Sequence, residues 1–442
     1  PSLPSNPYPM KPLLKSVGPA IIVAAVVLGP GSILTSSKVG ATFGIAALPV
    51  IVVATILMIA MVALAARLGV VYEGSICDEL SARLGKPVTV AIGLILFVLV
   101  ALFQSSNNIA LVGGLESLSD GEPLSLAARA AILIGVNLFI VVCLYRLRNL
   151  YGSIEKVMKF LIGLMVLAFL INFLVVFLQP QGFEPTPSIQ AKDWLPLLAM
   201  IGTTFSVGGA FYQAYLVKEK GWGLSETRQG LTDSILSISI LGIVTAIILL
   251  TSWRVFYGQA QPVNLASVGD VARQLEPLFG PSAKIIFCAG ILGGALSSFL
   301  VNAMIGGTVM SDSLGMGSKL KDRGPVLFTT IALLVGLLVA LASLAKTGSV
   351  VSLITLAQAL TILGIPALAL ALIYLGTRKE LTGDRKVPQP IIILAIIGFA
   401  ISCILASLTA QKVYQKLNPP EQIASLSQTD QTKSPRHFIR GL

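Results

Sequence analysis

Uninterrupted apolar runs of about twenty residues recur along this chain, and that is the length a helix needs to cross a hydrocarbon core roughly 30 Å thick. Runs such as Ile45–Leu68 do not alternate polar with apolar residues, so they lack the pattern of a membrane β-barrel strand. Inside a bilayer, segments like these can satisfy their backbone polar groups only as helices. The expected fold class is an all-α membrane protein. Composition points the same way. Of 442 residues, 55% are hydrophobic and 12% are charged, whereas a soluble domain carries roughly 25% charged residues. Mean hydropathy is +0.87.

Eleven spans are expected, near Val17–Ala41, Ile45–Leu68, Val88–Leu115, Leu126–Leu144, Glu155–Leu178, Trp194–Val217, Thr232–Phe256, Ala283–Ser311, Pro325–Leu344, Val350–Leu375 and Pro390–Lys412. Residues 1–16 are proline-rich and contain no apolar signal-peptide core. They read as a disordered cytoplasmic arm. The polar residues 416–442, which hold the single histidine, His437, read as a disordered tail. Between these ends lie a first five-helix unit (17–178), a second (179–375) and an eleventh helix (376–415).

The loops carry the orientation. Lys11, Lys15, Arg83, Lys86, Arg146, Arg148, Lys156, Lys218, Lys220, Arg228, Lys319, Lys321, Arg323, Arg378, Lys379, Arg385 and Lys386 all fall on one alternate set. Glu116, Asp120 and Glu122 cluster on the other. Lys and Arg bias sets topology. The N-terminus is therefore expected in the cytoplasm and the C-terminus outside, in a bacterial inner (plasma) membrane. The net charge of +11 is then a membrane signature and calls for no nucleic-acid partner. The expected partners are the lipid bilayer and a small inorganic ion or small solute, and the expected state is a monomer. Cys77, Cys143, Cys288 and Cys403 are scattered singly, so no zinc or iron–sulfur site is indicated and no cofactor is expected. No GxSxG, P-loop or HExxH motif is present, so the chain does not read as an enzyme.

Two spans are interrupted. The first contains Gly29-Pro30-Gly31-Ser32 near its middle. Proline removes a backbone donor and clashes one turn back, and the flanking glycines let the chain leave helical geometry cheaply. The sixth contains Thr203-Thr204-Phe205-Ser206-Val207-Gly208-Gly209 at mid-depth. Paired interruptions at corresponding positions of two halves are the sequence pointer to a transporter built from inverted repeats, and to its binding site. The plainer explanation is close helix packing through small residues. It suffices for Gly293-Gly294 and Gly306-Gly307, and accounts less well for a proline between two glycines. The third span holds no carboxylate near Ser105-Ser106-Asn107-Asn108, and no span interior holds a clear Asp, Glu or His.

With these features assembled, the chain resembles the LeuT fold and, in detail, the Nramp family of proton-coupled divalent-metal transporters. Gly29-Pro30-Gly31-Ser32 stands where that family has Asp-Pro-Gly-Asn, and Val207-Gly208-Gly209 where it has Met-Pro-His. Gly293-Gly294-Ala295-Leu296-Ser297-Ser298 follows the family's eighth span. Gln358, before Gly364-Ile365-Pro366, matches a glutamine that faces the site. The resemblance implies a 5+5 inverted repeat plus an eleventh helix, with the first and sixth helices broken. It also implies alternating access and a substrate site at Gly29, Gly31, Ser32, Thr203, Thr204, Ser206, Val207 and Gln358, with Pro30, Gly208 and Gly209 as hinge.

The departures carry chemistry. The family's metal ligands are replaced by Gly29, Ser32 and Val207, so no metal-ligand set can be assigned. The family-implied cargo is a divalent metal ion, yet the remaining donors are hydroxyls, amides and freed carbonyls. A dication in a low-dielectric cavity needs compensating charge. Missing intramembrane carboxylates also argue against ordinary proton coupling, which leaves the coupling ion unassigned. Lys38 reads as an interfacial residue that snorkels outward. The alternative cargo is a small anion or neutral molecule, since half-helix N-termini suit anionic groups. The remaining possibility is a non-transporting scaffold or sensor.

Overall fold

A computed structural model describes residues 18–118, 124–147, 150–178, 194–259, 265, 281–344 and 350–417, excepting the side chains of 281, 283, 350–361, 413, 416 and 417. The expected arm and most of the tail lie outside the described residues. Fourteen α-helices and no strand occur among those described. The first span is a pair of half-helices, α1 (Ala20–Val27) and α2 (Pro30–Phe43). Then follow α3 (Leu48–Val71), a short α4 (Ile76–Leu84) and α5 (Lys86–Glu116). Next come α6 (Leu126–Arg146) and α7 (Leu150–Leu178). The sixth span is a second pair of half-helices, α8 (Leu195–Thr204) and α9 (Val207–Lys220). The chain finishes with α10 (Thr227–Phe256), α11 (Pro281–Leu314), α12 (Arg323–Leu344), α13 (Val350–Gly376) and α14 (Gln389–Leu417).

Each of the eleven expected spans falls on one of these helices or on a broken pair. Nine helical stretches among the described residues are long and apolar enough to cross a membrane by length and composition. The first of them, Pro30–Val71, runs α2 and α3 together. They meet through Gly44, whose φ of +64° turns the chain where an L side chain would be strained.

The interior is built from small residues that let helix backbones approach. α11 packs on α5, α7 and α12, while α10 packs on α2 and α3. A Cβ added at Gly307 would sit 2.6 Å from Thr329 Cα on α12, and one at Gly69 would sit 2.5 Å from the Ala214 carbonyl oxygen on α9. Tyr212, Phe205, Phe211 and Phe299 fill the space between these contacts, and other large side chains point outward. Phe139, Phe160, Leu338 and Ile404 are among the most exposed residues, which suits a surface bathed in acyl chains.

The short α4 was not expected from the apolar pattern. Ser75 starts it with a capping box: its hydroxyl accepts from Asp78 N–H at 2.9 Å, and the Asp78 carboxylate accepts from Ser75 N–H at 3.1 Å. The structure adds three buried carboxylates at the ends of the expected spans. Asp233 on α10 is fully buried, and Asp312 on α11 and Glu155 on α7 are nearly so. All three lie within two turns of helix ends at the Lys/Arg-rich end of the bundle. Each has local partners there, so charge could be buried near a boundary without interrupting the apolar run.

Gly307→Ala is expected to lower stability by about 1–3 kcal/mol through overpacking. Gly163→Ala, with open space around its Cβ, should be neutral or gain up to about 1 kcal/mol of helix propensity. Thermal unfolding of the two variants in detergent checks this, and equal stability would contradict the close α11–α12 approach.

Candidate functional site

The first break lies at Leu28-Gly29. Gly29 is extended (φ −75°, ψ 177°), and Pro30 occupies the first position of α2, where its missing N–H costs nothing. A broken helix leaves carbonyls without partners. Here α11 supplies donors: Ser297 Oγ donates to the Ala25 carbonyl at 2.8 Å, and Ser298 Oγ donates to the Val26 carbonyl at 2.6 Å. The fit is tight. A Cβ on Gly29 would run into Ser298 Oγ and sit 2.9 Å from Ser298 Cβ. Ser32 is buried, and its hydroxyl has no partner among the described residues.

The sixth-span break falls at Phe205-Ser206, just ahead of the two glycines. Phe205 (φ −89°, ψ 62°) and Ser206 (φ −83°, ψ 84°) leave helical geometry, while Gly208 and Gly209 sit within the first turn of α9. The Phe205 ring is buried and reaches α14, where a Cβ on Gly398 would lie 2.8 Å from it. The N–H groups of Gly208 and Gly209 have no intrahelical carbonyl one turn back.

A cavity of about 70 Å³ opens beside this break. Its walls come from Val26 and Val27 on α1, Leu96–Phe103 on α5, the Gly202–Gly209 region, Asn302 and Ile305 on α11, and Ile365 and Leu368 on α13. Thr203, Ser206 and Asn302 are its polar side chains. Of the residues expected at a site, Thr203, Ser206, Val207, Gly208 and Gly209 line this cavity. Gly29, Pro30, Gly31, Ser32 and Thr204 do not. The two breaks touch through hydroxyls, with Thr35 Oγ1 and Thr203 Oγ1 3.5 Å apart. Gln358 lies on α13, but its side chain is outside the described residues. Lys38 is partly buried on α2 and is not in the cavity wall. Sequence reasoning missed Asn302, although a lone amide in the apolar stretch Phe299–Ile305 was a usable signal.

Span three has an amide network around Asn107 and Asn108. Gln104 Nε2 donates to the Phe299 carbonyl at 2.6 Å, Asn107 Nδ2 to Gln104 Oε1 at 2.8 Å, and Asn137 Nδ2 to Asn108 Oδ1 at 2.8 Å. These groups tie α5 to α6 and α11 without carrying charge. Among the described residues no group of three His, Cys, Asp or Glu side chains could hold a metal ion.

Toward the Lys/Arg-rich end, polar contacts close the bundle below the cavity. The Asp233 carboxylate accepts from Gly18 N–H at 2.7 Å, Ala20 N–H at 2.9 Å and Ser237 Oγ at 3.0 Å. It thereby clamps the start of α1 to α10, and a charged acceptor at a helix N-terminus also meets its dipole favourably. The Asp312 carboxylate accepts from Tyr215 O–H at 2.7 Å and Ser75 Oγ at 2.8 Å. Lys218 Nζ donates to the Tyr72 carbonyl at 2.6 Å. Burial pushes the Cys77 thiol well up from its ordinary value, reinforced by the nearby Asp312 carboxylate. Burial likewise pushes Tyr72 up to about 12.

Gly29→Asp is expected to destabilise the fold, because Ser298 occupies the space the side chain needs, and Gly29→Asp with Ser298→Gly should recover most of the lost stability. Thermal unfolding of both variants tests this; equal loss in the two would show that Ser298 is not the obstacle.

Comparison with known proteins follows the same outline. The sequence profile of the natural resistance-associated macrophage protein-like (Nramp) family matches residues 20–411. The divalent metal cation transporter MntH of Latilactobacillus sakei is 24% identical over 346 residues, covering 73% of each chain. MntH of Listeria monocytogenes is 25% identical over 342 residues, covering 72% of each. A crystal structure of the Eremococcus coleocola manganese transporter, in complex with an aromatic bis-isothiourea substituted compound, superposes with a TM-score of 0.74 at 20% identity. The match covers 97% of this chain and 93% of that one.

Proposed function

The chain belongs to the Nramp family, and from that premise we propose that it is a secondary transporter that carries a divalent metal ion by alternating access, holding the ion with neutral oxygen donors. The observation that carries this reading is the placing of the Phe205-Ser206 break in the wall of a cavity whose polar side chains are Thr203, Ser206 and Asn302. Metal cargo is supported by the relatives, which are named divalent metal cation transporters.

The donor set shapes the chemistry. Hydroxyls, an amide oxygen and the last carbonyls of α8 are hard ligands suited to magnesium, calcium or manganese. Val207 and Gly209 offer neither the thioether nor the imidazole that favours softer metals. With no carboxylate in the cavity wall, a dication would keep part of its hydration. The cavity has room for an ion with a few waters. Affinity is then low, and discrimination between magnesium and manganese is weak.

Alternating access uses the two broken helices. Residues 17–178 and 179–375 act as the two repeats, and the Lys/Arg-rich end faces the cytoplasm. Spans one, two, six and seven rock against spans three, four, eight and nine. Within that moving bundle α1 also swings on the Leu28-Gly29 break, leaving Asp233 of span seven and breaking the bonds to Gly18 and Ala20 as the cytoplasmic end opens. A second reading, a small anion or neutral solute as cargo, draws on one observation: Val207, Gly208 and Gly209 at the N-terminus of α9 line a cavity without carboxylates, so the positive pole of that helix faces it.

Isothermal titration with magnesium and manganese separates the two. Saturable binding that weakens about tenfold in Asn302→Leu, the loss of one donor, supports the metal site; no heat from any divalent ion sinks it. Proteoliposome uptake of labelled anions and neutral solutes then tests the second reading, and the absence of any uptake would leave only a scaffold.

The Asp233 clamp has its own expected outcome, read in a protein whose single cysteine is Cys77. With its pKa raised, Cys77 is almost wholly thiol at neutral pH, and its burial keeps maleimide labelling slow. Asp233→Ala should release α1 and speed that labelling severalfold at constant pH. Unchanged labelling would show that Asp233 does not hold the closed end shut.

A further inference from the structure

We propose that the protein holds an anionic phospholipid in a second cavity, at the end of the bundle that its Lys/Arg bias assigns to the cytoplasm. This cavity, about 190 Å³, lies away from the transport site and is walled by α3, α10 and the start of α14. α10 and α14 both pack on α3 without packing closely on each other, so a gap remains along the α3 face.

The lining has two characters. Ala63, Ala66, Val70, Leu231 and Ile391 form an aliphatic wall along the helices. Arg67 and Arg228 stand in the same lining. The Arg67 guanidinium is anchored from one side: its terminal nitrogen donates to the Asp384 and Lys386 carbonyls, while its Nε has no partner. The Arg228 guanidinium is exposed at the mouth and makes no hydrogen bond or ion pair among the described residues. Thr227 and Arg228 also form the first turn of a 30-residue helix, whose N-terminal dipole adds positive potential. The Arg67 anchor draws in the loop beneath α13, bringing Arg385 and Lys386 close to the same mouth. Two carboxylates are near: Glu226, occupied by Gly223 N–H and Ser225 Oγ, and Asp384, whose charge acts on Arg67 and leaves Arg228 as the uncompensated cation of the lining.

Two arginines at the mouth of an apolar slot, at the depth where lipid headgroups meet acyl chains, match one ligand chemistry: a phosphate with a hydrocarbon tail. Basic pockets between helices on the cytoplasmic side bind anionic headgroups in this way, and guanidinium is the side chain best shaped for phosphate oxygens. Zwitterionic lipid fits less well, because its ammonium group would face the same arginines. Leu231 is exposed beside the slot, which leaves a lateral path for an acyl chain. The occupant also bears on transport. It would brace α10, the helix that clamps α1 through Asp233, against α3.

The test uses the full-length protein, purified in detergent and stripped of lipid. Native mass spectrometry follows titration with phosphatidylglycerol, phosphatidylcholine, or inorganic phosphate with detergent alone. The expected result is retention of one phosphatidylglycerol in preference to phosphatidylcholine, with no comparable stabilisation by phosphate. Arg228→Gln should reduce that preference about fivefold, the effect of one interfacial arginine. Leu231→Glu, which places a carboxylate at the slot, should reduce it by as much. Equal retention of both lipids by the unmodified protein would overturn the proposal, a reading that needs no variant to fold. So would a preference left intact in well-folded Arg228→Gln and Leu231→Glu proteins. Stabilisation by phosphate alone would reassign the site to a free anion.

Discussion

Every N–H and C=O inside a hydrocarbon layer needs a partner, and a helix broken at mid-depth leaves several without one. The two breaks in this protein answer that demand differently. At Leu28-Gly29, the orphan carbonyls of Ala25 and Val26 are taken by Ser297 and Ser298, and the glycine lets α11 press close. At Phe205-Ser206 the chain parts beside an open cavity. The first break is packed against α11, and the second lies beside the cavity. That asymmetry puts the candidate site against the sixth span, with α1 forming one wall.

The same demand explains the polar residues at the Lys/Arg-rich end. α1 is only eight residues long, too short to hold itself by local bonding. Asp233 supplies acceptors for its first N–H groups, and the Ser75–Asp312–Tyr215 chain ties the α3–α4 corner to α9 and α11. Buried carboxylates are costly when unpaired. These sit at positions where hydrogen-bond donors converge.

The architecture was largely legible from the amino-acid sequence. Apolar runs of spanning length located eleven helical segments, and Gly29-Pro30 and the Thr203–Gly209 stretch marked both interruptions. The short α4 escaped because a nine-residue amphipathic helix has no apolar run to reveal it. Asp233, Asp312 and Glu155 escaped because they lie near span ends, where a charge reads as interfacial until its partners are known. The hinge was expected at Gly208 and Gly209, since glycine is the residue that most readily leaves a helix. The helix is interrupted just ahead of them, at Phe205-Ser206, where the Phe205 ring packs against Gly398 of α14, a contact between residues nearly two hundred positions apart.

By itself the sequence determined the membrane-spanning class and the broken first and sixth helices. These follow from local properties: run length, backbone preference and residue chemistry. Only the tertiary structure decided that Gly29 faces Ser298 while Thr203, Ser206 and Asn302 share one cavity, and that Asp233 reaches the start of α1. Those relations join residues from distant helices. They depend on how closely small side chains let the helices approach, which periodicity along one segment does not encode.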